Sequence, residues 1–340
     1  MTVVADIGTM NIVGARLGED GKICYRRERD IFIELPTESN DAKAFLDMAG
    51  TKLVTFEGKN YVVGEEAMNF ASFLDIEFKR PLKSGLINPQ EEDVAIQMLD
   101  IIIKGVLGEP EYEGEPCIFC VPAEPIDEKR NVSYHQKTLE YIVKRHGFTP
   151  KAINEATAII YSELQNNTLS GIGISFGAGM VNLACCWKGF PVFSFSIGRS
   201  GDWIDEQVKQ ATGKTAAEIT GIKETELDLT EDGETRIHRY LKGYYEELID
   251  YLIRNIIKKF ESSKVNSKLD KKNNQAEALP IVIAGGTSCP KGFAEMFRDR
   301  VEKSDFPFKV SKIIVASDPL YTVAKGLVRY GEVQVKSQIN

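Results

Sequence analysis

The sequence predicts an α/β protein built from two similar lobes, and three observations carry that expectation. A strand, a glycine turn and a second strand open the chain in Val3-Val4-Ala5-Asp6-Ile7-Gly8-Thr9-Met10-Asn11-Ile12-Val13. The same plan returns in Gly171-Ile172-Gly173-Ile174-Ser175-Phe176-Gly177-Ala178-Gly179-Met180-Val181-Asn182-Leu183. Apolar strands and helical patterns then alternate after each copy. A repeat of such long period means duplicated lobes rather than a solenoid. The chain of 340 residues is long enough for two domains, and 43% apolar residues are enough for real cores.

The two hairpins carry the first functional expectation. A glycine at the turn has no Cβ, so main-chain N–H groups can come close to a phosphate. Thr9 adds a hydroxyl donor, and Asp6 at the strand end can hold Mg²⁺ through water, because that ion keeps most of its hydration shell. Taken alone, Asp-x-Gly-Thr also fits a buried strand ending in an ordinary turn. The second copy favours a pair of hairpins that clamp a polyphosphate between the lobes. The device differs from a P-loop, since Gly-x-x-x-x-Gly-Lys-Ser/Thr occurs nowhere in the chain.

Composition excludes several classes. A formal charge of −8 argues against a nucleic-acid partner. The first strand begins almost at once, which leaves no room for a signal peptide. No apolar run is long enough to span a bilayer. Of the six cysteines, Cys117 and Cys120 match Cys-x-x-Cys, but they lie in an apolar strand whose alternation sends them to opposite faces. With one such pair and three histidines, buried small side chains are expected rather than a zinc or redox centre. Reduced thiols imply a cytosolic protein.

The elements follow in order. Lys22 to Leu35 reads as further strand around a charged Arg26-Arg27-Glu28-Arg29-Asp30 run, and positions 36 to 43 are polar. Lys52 to Val63 reads as a hairpin around Glu57-Gly58, followed by a short helix from Gly64; together they suggest a small inserted subdomain at about 31–70. After an extended connection from Lys79 to Ile87, Val94, Met98, Ile101, Ile102 and Val106 recur at helical spacing. Gly108 to Glu115 is an acidic loop, Pro116 to Val121 a buried strand, and Glu128 to His146 a helix stopped by Gly147. Asn154-Glu155-Ala156-Thr157-Ala158 opens the next helix. Past the second hairpin come a strand from Phe190 to Ile197, helices beginning at Gly201-Asp202 and Thr215, and a long helical stripe from Arg236 to Phe260. A polar loop is expected at 261–277. Leu279 to Ala284 is a strand ending in Gly285-Gly286-Thr287-Ser288, where a ligand could rest on exposed backbone before a helix from Pro290. After a last strand from Lys309 to Val315, Asp318 is placed as the N-cap of a final helix through Val328.

These motifs, in this order, resemble the superfamily of actin, the DnaK-type chaperones and the sugar kinases, and within it the bacterial actins of the MreB and MamK group. Asp6-Ile7-Gly8-Thr9-Met10-Asn11 resembles the first phosphate motif, and Gly177-Ala178-Gly179 falls on the second. Arg80-Pro81-Leu82-Lys83-Ser84-Gly85-Leu86-Ile87 resembles a segment typical of MreB-like proteins, and Val121-Pro122-Ala123 matches their Val-Pro-small element. Asn154-Glu155-Ala156-Thr157-Ala158 resembles the connecting motif between lobes. Gly201, Asp202, Lys223 and Glu224 fall where the second lobe approaches the nucleoside, and Gly285-Gly286-Thr287 resembles the adenosine motif. Asp318 to Gly326 resembles the C-terminal helix. The resemblance implies an actin-like ATPase fold, a ribonuclease-H-like βββαβα unit occurring twice with a nucleotide cleft between the lobes. The implied division is 1–153, then 154–317 with a small insertion at about 198–260, then a C-terminal helix at 318–340 packing back on the first lobe.

It also implies ATP or ADP with Mg²⁺ as ligands and a filament of identical subunits. Asp6 would hold the Mg²⁺ shell through water. Gly8, Thr9, Met10, Asn11, Ser175, Gly177, Ala178 and Gly179 would line the phosphates. Glu155 would orient the attacking water, and Gly201, Asp202, Lys223, Glu224, Gly285, Gly286 and Thr287 would hold the adenosine. Two departures from the family pattern bear on function. Ser175 stands where the second phosphate motif normally has an aspartate, which implies weaker metal binding and slow hydrolysis. The loop before the Val-Pro strand is acidic and would be repelled by anionic lipid, so a cytoplasmic, cytoskeletal, MamK-like filament without strong direct membrane contact is expected. The competing expectation is a scaffold or adaptor that binds ATP without hydrolysing it. A chaperone or sugar kinase fits less well, since no substrate domain follows the second lobe.

Overall fold

In the computed structural model, residues 2–35, 53–74, 76–233, 235–262 and 269–339 are described. The polar stretch expected at 36–43, and 263–268 of the loop expected at 261–277, lie outside them. The chain divides into two compact units. The first comprises Met1–Val121, Asn131–Ile153 and Gly331–Asn340, and the second Pro122–Arg130 and Asn154–Tyr330.

The first unit begins with three antiparallel strands, β1 (Val3–Ile7), β2 (Asn11–Leu17) and β3 (Ile23–Arg29). An insertion follows: β4 (Phe32–Glu34), β5 (Val54–Phe56), β6 (Lys59–Val63), α1 (Glu65–Leu74), β7 (Leu82–Lys83) and β8 (Leu86–Ile87). Strands β4, β6 and β5 form a sheet of their own, and Ile31, Ile33, Val62, Ala67 and Ala71 make its separate small core. The main sheet resumes after α2 (Glu92–Leu107) with β9 (Glu115–Val121), then α3 (Val132–Arg145) and β10 (Phe148–Asn154). Its order is β10-β9-β1-β2-β3, with β9 parallel to β1. The stripe of α2 lies across β1, β2 and β3, where Ala95, Leu99, Ile102 and Ile103 are buried. Helix α3 starts later than its pattern suggests, because Asn131 caps it by accepting the Tyr134 N–H at 2.8 Å.

The second unit repeats the plan. After α4 (Glu155–Glu163) come the antiparallel strands β11 (Gly171–Phe176), β12 (Val181–Trp187) and β13 (Phe190–Ile197). An insertion again follows the third strand, here α5 (Gly201–Thr212) and α6 (Ala216–Thr225). Helix α7 (Arg236–Ser262) leads to β14 (Leu279–Ala284), then α8 (Phe293–Glu302), β15 (Val310–Val315) and α9 (Thr322–Ile339), whose residues from Gly331 onward are counted with the first unit. The sheet order is β13-β12-β11-β14-β15, with β14 parallel to β11. Counted from the first strand of each unit, the two orders are identical, so the duplication read from the hairpins extends to the whole sheet. Every residue of β11 and β14 is buried, as largely apolar runs require for central strands covered on both faces. Leu241, Leu248, Leu252 and Ile256 of α7 enter the same core, so its stripe is packing.

One helix start is corrected. Asp318 is no N-cap: the Pro319 carbonyl accepts the Gly285 N–H at 3.2 Å, which holds this segment outside the helix. The Asp318 carbonyl instead accepts the Tyr321 and Thr322 N–H groups, and α9 begins at Thr322 and runs past Val328 to Ile339. All six cysteines are free thiols. Cys117, Cys120, Cys185 and Cys186 are buried, and Cys24 and Cys289 are exposed. Burial pushes the Cys117 thiol up to about 12. Among the described residues no helix is long and apolar enough to cross a membrane.

Candidate functional site

The two hairpins share one geometry. In the first, Ile7 faces Ile12, and the Gly8 N–H closes the turn on the Asn11 carbonyl at 3.1 Å. In the second, Phe176 faces Val181, and the Gly177 N–H closes on the Met180 carbonyl at 3.0 Å. A Cβ at Gly8 would lie 3.0 Å from the Asn11 oxygen, and one at Gly177 would lie 2.8 Å from the Met180 oxygen. Both turns therefore need glycine for close backbone approach rather than for unusual torsion angles.

In the first unit, Asp6 stands at the end of β1 beside Cys120, whose thiol donates to Asp6 Oδ1 at 3.1 Å. Among the described residues no cation pairs with Asp6, and burial pushes its carboxyl up to about 6 in spite of the Cys120 contact. A desolvated carboxyl without a counter-charge suits a cation. A single carboxylate at a strand end is the kind of donor through which a hydrated Mg²⁺ is held, and among the described residues no group of three or more His, Cys, Asp or Glu could hold a metal. Thr9 is buried, and its Oγ1 accepts the Gly85 N–H at 3.2 Å, which leaves its own proton for another acceptor. The Met10 carbonyl accepts the Asp30 N–H at 3.1 Å. Asn11 leaves its buried side-chain oxygen without a partner.

The second unit gathers most of the expected residues at one place. The Gly177 carbonyl accepts the Gly201 N–H at 3.2 Å and the Thr287 hydroxyl at 2.9 Å, and the Ala178 carbonyl accepts the Asp202 N–H at 2.8 Å. The turn at Gly177–Gly179, the start of α5 and the Gly285–Thr287 turn are thus tied together. Gly285 has φ +95°, and a Cβ there would lie 2.4 Å from the Phe176 carbonyl, so only glycine fits. Gly286 is exposed beside it. Lys223 reaches the same point from α6: its Nζ donates to the Gly201 carbonyl at 3.2 Å and to both Asp205 oxygens at 2.7 Å. Burial pushes the Asp205 carboxyl up, and Lys223 and the Thr220 hydroxyl pull it back. Glu224, next along α6, is exposed.

Ser175 is buried and faces Asn182 across the hairpin. Asn182 links two further segments. Its Oδ1 accepts the Ala123 N–H at 3.0 Å, and its Nδ2 donates to Glu155 Oε2 at 2.8 Å. Glu155 is the first residue of α4, whose N-cap Asn154 accepts the Thr157 N–H at 3.1 Å. Asn182, Asp205, Asp30 and Cys120 escaped the sequence. A polar residue inside an apolar strand marked Asn182, and an aspartate on the buried stripe of α5 marked Asp205.

The Volactin family profile matches residues 1–328. The chain belongs to the Volactin family. Among curated relatives of this Volactin-family chain is the actin-like protein MamK of Magnetospirillum gryphiswaldense, 25% identical over 312 residues, which covers 84% of this chain and 80% of MamK. Among solved structures, the MamK double helical filament superposes with TM-score 0.72 at 18% identity, covering 98% of this chain and 99% of that one. MreB5 of Spiroplasma citri bound to AMPPNP superposes with TM-score 0.69 at 16% identity, covering 99% and 97%. The resemblance to bacterial actins is therefore sustained, and the actin-like fold is the fold of this Volactin-family protein.

Proposed function

We propose that this protein binds ATP and assembles into filaments, an actin-like cytoskeletal protein whose polymerisation follows nucleotide binding. What carries the proposal is the convergence, in the second unit, of the Gly177–Gly179 turn, the start of α5 and the Gly285–Thr287 turn. Three main-chain segments approach closely there with glycine at each, which suits a nucleotide laid on backbone. Gly201, Asp202, Glu224, Gly285, Gly286 and Thr287 take the adenosine side, and Lys223 holds the start of α5 through Gly201. Main-chain donors at Met10, Ala178 and Gly179, with the Thr9 hydroxyl, serve the phosphates, while Gly8 and Gly177, whose own N–H groups close the turns, allow the close approach. Asn11 and Ser175 flank them.

Asp6 would hold Mg²⁺ through water, and the ion would neutralise phosphate charge. Glu155, oriented by Asn182, accepts a proton from the attacking water or fixes its direction. Ser175 offers no second carboxylate, so turnover is slow. The same serine supports a second reading, a scaffold that holds ATP without hydrolysing it. The similar MamK and MreB5 structures are a filament and an AMPPNP complex, which supports assembly and nucleotide binding here. The acidic loop from Gly108 to Glu115 favours a cytoplasmic filament over a lipid-bound one.

Sedimentation and electron microscopy with ATP, ADP and no nucleotide test the proposal. Filaments that appear with ATP, with subunits stacked head to tail, are the expected result. A protein that stays monomeric at high concentration with every nucleotide overturns it. Phosphate release during assembly separates the ATPase from the scaffold.

A further inference from the structure

The inserted subdomain of the first unit leaves the main sheet after β3 and returns before α2, and both crossings are tied to the phosphate turn. On the way out, the Asp30 N–H donates to the Met10 carbonyl at 3.1 Å. On the way back, the Gly85 N–H donates to Thr9 Oγ1 at 3.2 Å. The crossings are also joined to each other. Phe32 and Lys79 exchange main-chain hydrogen bonds of 2.8 Å, and Asp30 Oδ2 accepts the Leu82 N–H at 3.2 Å. Asp30 thus touches both the turn and the returning strand.

Its environment is costly. Asp30 is wholly buried, and its Oδ1 has no hydrogen-bond partner. Burial pushes its carboxyl well above the usual range, although the Leu82 N–H and the Arg80 guanidinium pull the other way. A buried acid with one oxygen unpaired is retained at a cost of stability, which points to a task beyond packing. A neutral amide of the same shape can still accept from Leu82.

We propose that Asp30 is a positioning residue for nucleotide phosphates: it clasps the Thr9-Met10 turn to both crossings of the inserted subdomain, so that a phosphate on the turn and the setting of the subdomain are coupled. The inference rests on the nucleotide reading above. It concerns the phosphates only, because adenosine is assigned to residues of the second unit.

The test compares ATP with adenosine, each competing against a fluorescent ADP, on the full chain. Asp30→Leu leaves the Leu82 N–H without its acceptor and should weaken ATP about tenfold while adenosine changes less than about twofold. Asp30→Asn should keep both affinities. Equal loss of ATP and adenosine in Asp30→Leu, or no loss of ATP, overturns the proposal. Should Asp30→Leu fail to fold, trypsin on the wild-type protein decides. ATP but not adenosine should slow cleavage after the exposed Lys79 and Lys83, and equal protection by the two ligands overturns it. A wild-type protein that binds no adenine nucleotide fails the site reading instead, and the clasp falls with it.

Discussion

Ser175 holds in β11 the register position that Asp6 holds in β1. Each lies two residues before its turn glycine, and each faces across the hairpin a residue of the returning strand, Asn182 and Val13 respectively. The two hairpins share one register and differ in charge at this position. A hydroxyl cannot replace a carboxylate toward a hydrated cation.

Restoring the acid should therefore speed hydrolysis. Ser175→Asp is expected to raise Mg²⁺-dependent phosphate release about tenfold, which is ~1.4 kcal/mol off the barrier. Release at the parental rate would mean that the second carboxylate does not limit turnover.

Asn182 should matter to both catalysis and stability. Asn182→Leu strips the acceptor from the Ala123 N–H and the donor from Glu155, and an orphaned buried N–H costs about 1–3 kcal/mol. Urea unfolding reads that loss. Glu155→Gln keeps a partner for Asn182, so it should bind ATP normally while phosphate release falls about a hundredfold. If Glu155→Gln hydrolyses at the parental rate, Glu155 is no more than a favourable first residue of α4.

The Lys223–Asp205 pair is buried on both sides. Removing one partner alone strands a charge, so Lys223→Met should cost about 3–5 kcal/mol in urea unfolding. The double variant Lys223→Met with Asp205→Leu should recover much of that. A double variant as unstable as the single one would show that Lys223 contributes through Gly201 rather than through the pair.

The buried acid at position 30 also predicts a pH dependence. The unfolded chain ionises Asp30 near about pH 4, whereas burial keeps the folded group protonated well above that value. Between the two values the unfolded state binds fewer protons, so stability falls as pH rises, by up to ~1.4 kcal/mol per pH unit, and levels off above the folded value. Asp30→Asn removes this slope. Its stability relative to wild type should grow from pH 4 upward, and a difference that stays constant to pH 7 contradicts a neutral Asp30 facing Leu82 and Arg80.

The hairpins were legible because a glycine turn between apolar strands has few other uses, and their order along the chain was enough to expect duplicated sheets. The ends of helices were less so. Asp318-Pro319 has the form of a helix start, but the distant Gly285 N–H takes the Pro319 carbonyl and delays α9 to Thr322. Site partners that meet only through the fold stayed hidden for the same reason. Asn182 serves Ala123 and Glu155 from a strand far along the chain, and Cys120 meets Asp6 only because β9 lies parallel to β1. Lys223 was expected beside the nucleoside from the resemblance, and its ammonium is committed to Asp205, which spacing alone does not reveal.

The distribution of thiols has a practical consequence. Cys24 lies in β3 of the first unit and Cys289 just beyond the Gly285–Ser288 turn of the second, and these two are exposed while the other four are buried. The native chain thus carries one attachment point per unit for a donor and an acceptor dye. Energy transfer between them would report, without engineered cysteines, whether the separation of the units in solution changes when nucleotide is added.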